Sequence, residues 1–155
     1  MINKKDIGVL KEFYHLAKSF CSLLENETLN YITLDLYMEK LFELMLLGIR
    51  LDNTDEFVGE DINDEIQHID HQLDVKVDFE NYFDMTFNPF DKDSVVTCSF
   101  TDCLGDIYDD LMCGIRLYER QYYEDAAWQW SFDYCYHWGK HALEVLWALY
   151  HIRDE

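Results

Sequence analysis

The apolar residues of the first fifty positions recur at steps of three and four, which is the spacing of one face of an α-helix. We expect a first helix from about Asp6 to Glu25 and a second from about Leu34 to Leu51. Thr33 directly precedes the second helix, and a hydroxyl side chain there can accept from unpaired N–H groups, so it is the expected N-cap. The two apolar stripes are Leu10, Phe13, Tyr14, Ala17, Phe20, Cys21, Leu24 and Leu34, Tyr37, Leu41, Leu44, Gly48, Leu51.

The same spacing predicts two long helices in the second half of the chain. Thr101 is the expected N-cap of a helix that ends near Arg120. Gly114 in its middle costs about 1 kcal/mol of helix propensity relative to alanine, which we attribute to close helix packing. From Asp125 to Tyr150 the pattern predicts one continuous helix that carries all four tryptophans. We expect it to be the central helix of a bundle, with Gly139 at a close crossing.

Two stretches between these helices have a different character. Isoleucines at helical spacing predict a short third helix from about Asn63 to Leu73, with a carboxylate-rich outer face. Residues 79–100 are expected to be extended or irregular, and Asn88, before the only proline, is disfavoured from helical angles. Four aromatic side chains in this segment are expected to lie against the bundle as a lid. They are Tyr82, Phe83, Phe87 and Phe90.

These elements define an all-α fold class. One proline and six glycines in 155 residues suit long helices, in which both residues are costly. A chain of this length is expected to form one domain over residues 1–155 and to bury roughly 70% of the surface of its unfolded chain. The predicted architecture is a single-domain helical bundle of four main helices, plus a short acidic helix and an aromatic extended segment.

Acidic residues dominate the charge, with 32 Asp and Glu against 12 Lys and Arg and a net charge of −20. Such a charge repels nucleic acid and anionic membrane surfaces, and it attracts a basic protein surface or a cation. Residues 52–84 hold twelve acidic side chains and one lysine, Lys76. This stretch is either an ordinary charged edge of the protein or a docking surface for a basic partner, and the docking surface is the interpretation that bears on function. Its candidate binding residues are Glu60, Asp61, Asp64, Glu65, Asp70 and Asp74.

Three patterns that resemble metal-binding or phosphoryl-transfer motifs are incomplete. The pattern from Asp61 begins an EF-hand loop, but Ile66 stands where the glycine belongs. Asp91 and Asp93 resemble the Asp-x-Asp of aspartyl phosphotransfer enzymes, yet no buried parallel strand precedes them, so we interpret them as a turn. The carboxylates of the second helix lack the Glu-x-x-His partner motif of di-metal bundles, and we interpret them as a solvated face.

The five cysteines are odd in number and form no Cys-x-x-Cys pair, which argues against a disulfide framework. The N-terminal residues lack the apolar region of a signal peptide, and the longest apolar run, from Leu44 to Ile49, is too short to span a bilayer. We therefore expect a cytoplasmic protein with reduced, mostly buried thiols.

The predicted last helix has one polar sector, in which Asp133, His137, His141 and Glu144 follow at spacings of four, four and three. Two histidines at i and i+4 can chelate zinc, with a nearby carboxylate completing or orienting the site. In a zincin, however, a glutamate directly follows the first histidine, and here Trp138 does. The main interpretation is a solvated or half-covered face, with no metal, no cofactor and no catalytic residue. The alternative is a pocket formed by Trp130, Asp133, His137, His141 and Glu144.

The second half also carries a set of combined motifs. They are Asp84-x-x-Phe87-Asn-Pro-Phe90, Ser99-x-x-Asp102-x-Leu104-x-Asp106-Ile107-x-x-Asp110-Leu111-x-x-Gly114-x-x-Leu117-Tyr118, Ala126-x-Trp128-x-Trp130-x-Phe132, Trp138-Gly139 and Ala142-Leu143-x-x-Leu146. These motifs resemble the bacterial domain-of-unknown-function family 5063, well over residues 79–150 and loosely before. The resemblance implies a compact, acidic helical protein with no established activity and no catalytic residues to carry over. The family pattern often has other residues at His137 and His141.

Two hypotheses of function follow. The first is a non-enzymatic interaction module that binds a basic protein through the acidic stretch 52–74. The alternative is a metal-binding protein or metal-dependent hydrolase that uses the polar sector of the last helix. No serine or cysteine nucleophile motif is present, so the sequence favours a binding protein over an enzyme.

Overall fold

The computed structural model describes residues 4–51 and 73–154, and within them it contains five helices and one two-stranded sheet. The mainly helical class is therefore confirmed. The predicted acidic helix Asn63–Leu73 lies outside the described residues, apart from Leu73 itself. In chain order the elements are α1 (Lys4–Asn26), α2 (Leu34–Arg50), β1 (Tyr82–Thr86), β2 (Val95–Ser99), α3 (Phe100–Glu119), α4 (Tyr123–Tyr136) and α5 (Trp138–Arg153).

The core is aromatic and lies where α1, α3, α4 and α5 meet. Helix α3 packs against α1, α4 and α5, and α2 packs against α1 and α5. The ring of Phe13 on α1 lies 4.8 Å from that of Trp130 on α4 and 5.8 Å from that of Trp138 on α5. All three side chains are fully buried. The apolar stripes predicted for the first two helices face this core. Almost all stripe residues are buried, from Leu10 to Leu24 on α1 and from Leu34 to Leu51 on and just after α2.

The prediction of a single helix from Asp125 to Tyr150 is wrong. The helix is interrupted at His137, so that the segment forms two helices, α4 and α5. His137 has φ −144° and ψ −82°, outside the helical region. The indole Nε1 of Trp138 donates to the carbonyl oxygen of Trp130, at 3.0 Å. Eight residues of straight helix would separate these residues by about 12 Å, beyond the reach of an indole. The break therefore lets both tryptophans be buried with their N–H groups satisfied.

Of the two predicted N-caps, Thr101 is wrong, whereas Thr33 is confirmed in position but not in its capping bond. Helix α3 is capped by Ser99, whose hydroxyl accepts from the backbone N–H of Asp102 at 3.1 Å. Thr101 lies inside the helix and is held by Asn81, whose side-chain amide donates to its hydroxyl and accepts from its N–H. Thr33 stands at the N-cap position of α2 but makes no capping bond, because its hydroxyl donates to the carbonyl of Thr28.

The extended segment forms an antiparallel hairpin in which Tyr82 pairs with Ser99 and Thr86 with Val95. The expected aromatic lid is only partly present. Phe83 packs against the core, with its ring 4.8 Å from that of Phe100, whereas Tyr82, Phe87 and Phe90 are exposed. Phe87 nevertheless lies against α5, because its ring centroid is 3.4 Å from Nζ of Lys140. Tyr82 and Phe83 are neighbours on β1 and so point to opposite faces, and Phe90 lies in the loop between the two strands.

Turns and isolated bridges fix the remaining described segments. The N–H of Asp93 donates to the side chain of Asp91, so these two residues do form a turn, as predicted. Leu29 and Val77 form a parallel bridge, in which Leu29 donates to the carbonyl of Lys76 at 2.8 Å and accepts from Asp78 at 2.9 Å.

Among the described helices, none combines the length and apolar character needed to cross a bilayer.

Candidate functional site

A cluster of hydrogen-bonded polar side chains lies at the break between α4 and α5. We call it the junction cluster, and it comprises Cys98 of β2, Cys103, Asp106 and Asp110 of α3, Asp133 of α4, His137 at the break, and His141 and Glu144 of α5. Four of the five residues of the alternative pocket belong to it. The fifth, Trp130, does not, because its side chain is fully buried and its Nε1 donates to the carbonyl of Leu111 at 3.1 Å.

The side chain of His137 contacts α3 and is only partly exposed to solvent. Its Nδ1 lies 2.6 Å from Oδ2 of Asp110. Asp133, one turn earlier on α4, accepts from the side-chain amide of Gln129 at 2.6 Å. Because the helix ends at His137, the imidazole turns toward α3 instead of continuing along the surface of α4. The two carboxylates and the imidazole therefore form one electrostatic unit.

His141 lies between two carboxylates. Its Nδ1 is 3.0 Å from Oε2 of Glu144, and its Nε2 is 3.3 Å from Oδ2 of Asp106. Glu144 is buried, whereas His137 is exposed and Asp133 and His141 are half-buried, so the polar sector is a half-covered face rather than a fully solvated one. The same Oε2 also accepts from the thiol of Cys103 at 3.4 Å, and Lys140 lies 4.0 Å from Oε1. These donors satisfy a carboxylate that burial would otherwise leave costly.

The surroundings of Asp110, Asp133 and His137 raise the pKa of each of these side chains. Burial, with the nearby charge of Asp133, raises the pKa of Asp110 to about 7, and the hydrogen bond from His137 only partly opposes this. Burial likewise raises the pKa of Asp133, against the hydrogen bond from Gln129. For His137, burial favours the neutral ring, but the hydrogen bond and charge of Asp110 outweigh it and the pKa is raised.

Two groups of donor atoms in the cluster have the spacing that a metal ion requires. In one group, ligand atoms of Asp106, His137 and His141 all lie within 4.8 Å of one another. In the other, the same holds for Cys98, Cys103 and Glu144. The first group offers two imidazoles and one carboxylate, and the second offers two thiols and one carboxylate.

Sequence reasoning did not identify the residues that α3 contributes to the cluster. Cys103, Asp106 and Asp110 follow at steps of three and four, so they share one face of α3. That spacing was a signal, because acidic residues on one side of an otherwise apolar helix need a partner or water. The residues that they contact could not be predicted from the sequence, because these contacts depend on how α3 is rotated relative to α5.

The acidic residues proposed to bind a basic partner cannot be located as a set. Glu60, Asp61, Asp64, Glu65 and Asp70 lie outside the described residues, and Asp74 is exposed. A second feature bears on the same hypothesis. A groove of about 270 Å³ runs between α2 and α5, and all its lining side chains are apolar or aromatic. They are Met38, Phe42, Leu143, Leu146, Trp147 and Tyr150, which we call the α2–α5 groove.

These features define a class of protein: a small, acidic, mainly helical domain with a polar cluster at a helix break and an apolar groove. The chain belongs to the DUF5063 family, a domain of unknown function, whose model matches residues 7–155. The match therefore includes the first half, which resembled the family only loosely. No curated protein and no solved structure matches the chain.

Proposed function

We propose that the protein is a non-enzymatic interaction module that binds a basic, amphipathic helix of a partner protein in the α2–α5 groove. The observation that carries the proposal is the exposure of the groove. More than half of the side-chain surface is exposed for Phe42, Leu143, Trp147 and Tyr150. Clustered apolar side chains of this size are typical of protein interaction sites, since isolated ones are common but contiguous ones are not.

The charges around the groove support a basic partner. Asp35, Glu39 and Glu43 follow at four-residue spacing on α2 and are exposed beside the exposed Phe42 and Leu46. Asp35 is paired with Arg153 of α5, at 3.1 Å, so Glu39 and Glu43 carry the argument from charge. An apolar helix face flanked by Lys or Arg would match both the groove and its acidic side. This is the helix-in-groove mode of peptide recognition.

The acidic stretch 52–74 is proposed as a second contact for the same partner. Its charge would steer the encounter and raise the association rate more than the final affinity. Its contribution should therefore weaken with salt, whereas the apolar contacts in the groove should persist. Metal binding, the other hypothesis from the sequence, concerns the junction cluster and not the groove.

A photo-crosslinking amino acid at position 147 tests the proposal in cells. We expect a crosslink to a partner segment that is amphipathic and basic, and none from the same amino acid at position 15, which is exposed on α1. The identified segment is then synthesised and titrated against wild type, Trp147→Ala and Ile32→Ala. Trp147→Ala should weaken binding about tenfold or more, because aromatic anchors carry much of the affinity at such sites. Ile32→Ala, at an exposed position before α2, should not change it.

Two results would contradict the proposal. One is a crosslinked segment that is acidic or lacks an apolar face. The other is a crosslink to a second copy of this chain, together with a dimer in solution that Trp147→Ala dissociates. That second result would assign the groove to self-association.

A further inference from the structure

We infer that the junction cluster binds a divalent first-row transition-metal ion through Asp106, His137 and His141. This site is independent of the α2–α5 groove and adds a ligand to the proposed interaction module. Two imidazoles and one carboxylate on a helix break can bind Zn²⁺, with water completing the coordination. The same set suits Fe²⁺ and related ions, so the class of ion is set by nitrogen and oxygen donors rather than by sulfur.

The first argument is the convergence of three elements. Asp106 comes from α3, His137 from the break and His141 from the first turns of α5, and their ligand atoms lie within 4.8 Å of one another. In a continuous helix His137 and His141 would present the i, i+4 pair alone. The contribution of α3 converts that pair into a three-sided set, which is the minimum for a site of useful affinity.

The second argument is the orientation of both imidazoles. Nδ1 of His137 is hydrogen-bonded to Asp110 at 2.6 Å, and Nδ1 of His141 to Glu144 at 3.0 Å. A carboxylate that accepts from Nδ1–H fixes the tautomer and leaves the lone pair on Nε2. Histidine ligands of metals nearly always have such a carboxylate or carbonyl behind them. Here both histidines have one, and neither Asp110 nor Glu144 is needed as a ligand.

The third argument is access and charge. The side chains of His137 and Asp106 are 46% and 45% exposed, so an ion can enter and retain water, whereas Asp110 and Glu144 behind them are largely covered. Asp106, Asp110, Asp133 and Glu144 surround the two imidazoles with carboxylates. This local negative potential attracts a cation and, once it is bound, offsets its charge.

The group Cys98, Cys103 and Glu144 is the competing site, and its chemistry is less suitable. Cys103 and Glu144 are buried and Cys98 is half-buried, so this group leaves less room for an ion to enter and retain water than the histidine group does. The thiol of Cys103 also donates to Glu144, a bond that requires the proton to stay on sulfur. Glu144 is already used by His141. We therefore assign the ion to the histidine group.

Calorimetric titration with Zn²⁺ tests the site, using protein without a histidine tag, stripped with a chelator, in millimolar Mg²⁺. We expect one ion per chain. Asp106→Asn and His137→Ala should each weaken binding about a hundredfold or more. Asp110→Asn, which replaces the charged acceptor behind His137 by a neutral and weaker one, should weaken it by about 10- to 100-fold. Asp102→Asn and His15→Ala, exposed positions on α3 and α1, are the matched controls and should bind as wild type does.

Two further measurements separate the outcomes. Thermal melts of the metal-free variants show that each one folds, so a loss of binding is not a loss of structure. The Co²⁺ spectrum reports the donors, and we expect d–d bands without a thiolate-to-cobalt charge-transfer band. Zn²⁺ affinity that is unchanged in Asp106→Asn and His137→Ala would overturn the assignment. So would a thiolate band that Cys98→Ser abolishes, since it would place the ion on the cysteines.

Discussion

The indole of Trp130 occupies the space that Gly114 leaves beside α3. A Cβ atom at position 114 would lie 2.1 Å from Nε1 of Trp130 and 2.2 Å from its Cε2. The same Nε1 donates to the carbonyl of Leu111, one turn earlier on α3. The glycine therefore lets α3 and α4 approach closely enough for this hydrogen bond, which confirms the close packing expected from its position in mid-helix.

Gly114→Ala should consequently destabilise the protein by about 3 kcal/mol, the upper part of the usual range for overpacking. The indole is fully buried and has no open side into which it can move. Gly105→Ala is the matched control on the same helix, because nothing lies within 4 Å of its Cβ position. It should stabilise by up to about 1 kcal/mol through helix propensity. Urea denaturation of both variants measures the difference, and equal effects would contradict the role of Trp130.

Gly139 is constrained by backbone rather than by a side chain. A Cβ there would lie 2.2 Å from the carbonyl oxygen of Tyr134, at the break between α4 and α5. Gly139→Leu should therefore cost several kcal/mol and should be much more disruptive than His141→Ala, which removes surface hydrogen bonds at a half-buried position. Thermal melts compare the two. A larger loss for His141→Ala would mean that the junction cluster, and not the break, holds the helices together.

The thiols should react in order of their burial. Cys135 is exposed, Cys98 is half-buried, and Cys21, Cys103 and Cys113 are buried. Burial also raises the pKa of Cys113 to about 11, and raises that of Cys21 and Cys103 as well. Pulse alkylation at pH 8 with mass spectrometry should modify Cys135 first, Cys98 later and the other three only after unfolding. Cys135→Ser should remove the fast phase, and rapid labelling of Cys113 would contradict the packing of α3.

Stability should fall as pH rises through the range of Asp110. Its folded-state pKa of about 7 lies above the ordinary value of 3.8, so the folded protein binds this proton more tightly than the unfolded chain does. The carboxyl group therefore destabilises the fold increasingly from about pH 4, and the effect is complete above about pH 7. His137, with a raised pKa, acts in the same direction, because the stability it contributes is lost as pH rises through its folded-state value.

Asp110→Asn should flatten this dependence in metal-free protein, since the amide can still accept from His137 but does not titrate. The slope removed is at most about 1.4 kcal/mol per pH unit. Urea denaturation at pH 5, 6, 7 and 8 in the presence of a chelator measures it. Asp102→Asn, an exposed change on the same helix, should keep the slope of wild type. Parallel curves for wild type and Asp110→Asn would show that Asp110 is ionised throughout.

Periodicity predicted α1 and α2 to within about two residues, because each presents one uninterrupted apolar stripe to the core. It did not predict the break at His137, because Gly139, two residues later, was interpreted as the site of a close helix crossing. That break depends on the hydrogen bond between Trp138 and Trp130, and so on tertiary packing. The N-cap of α3 was misassigned for a similar reason. Ser99 and Thr101 are both suitable caps, and the choice is made by Asn81, far away in sequence.

Only the histidines of the candidate site could be predicted from the sequence, and not the residues of α3 that contact them. The spacing of His137 and His141 is local and could be seen in the sequence. Their contacts with Asp106 and Asp110 depend on how α3 is rotated against α5, which no local pattern encodes. The burial of Glu144 within this half-covered sector could not be predicted either, because its contact with Cys103 depends on how α3 packs against α5.

The bridge between Leu29 and Val77 has a consequence for engineering and for the evolution of chain length. Leu51 and Val75 are buried on either side of residues 52–72, so the domain fixes both ends of that stretch. A segment inserted between Leu51 and Val75 would therefore act first on these buried ends and on the bridge between Leu29 and Val77, and only then on the aromatic core.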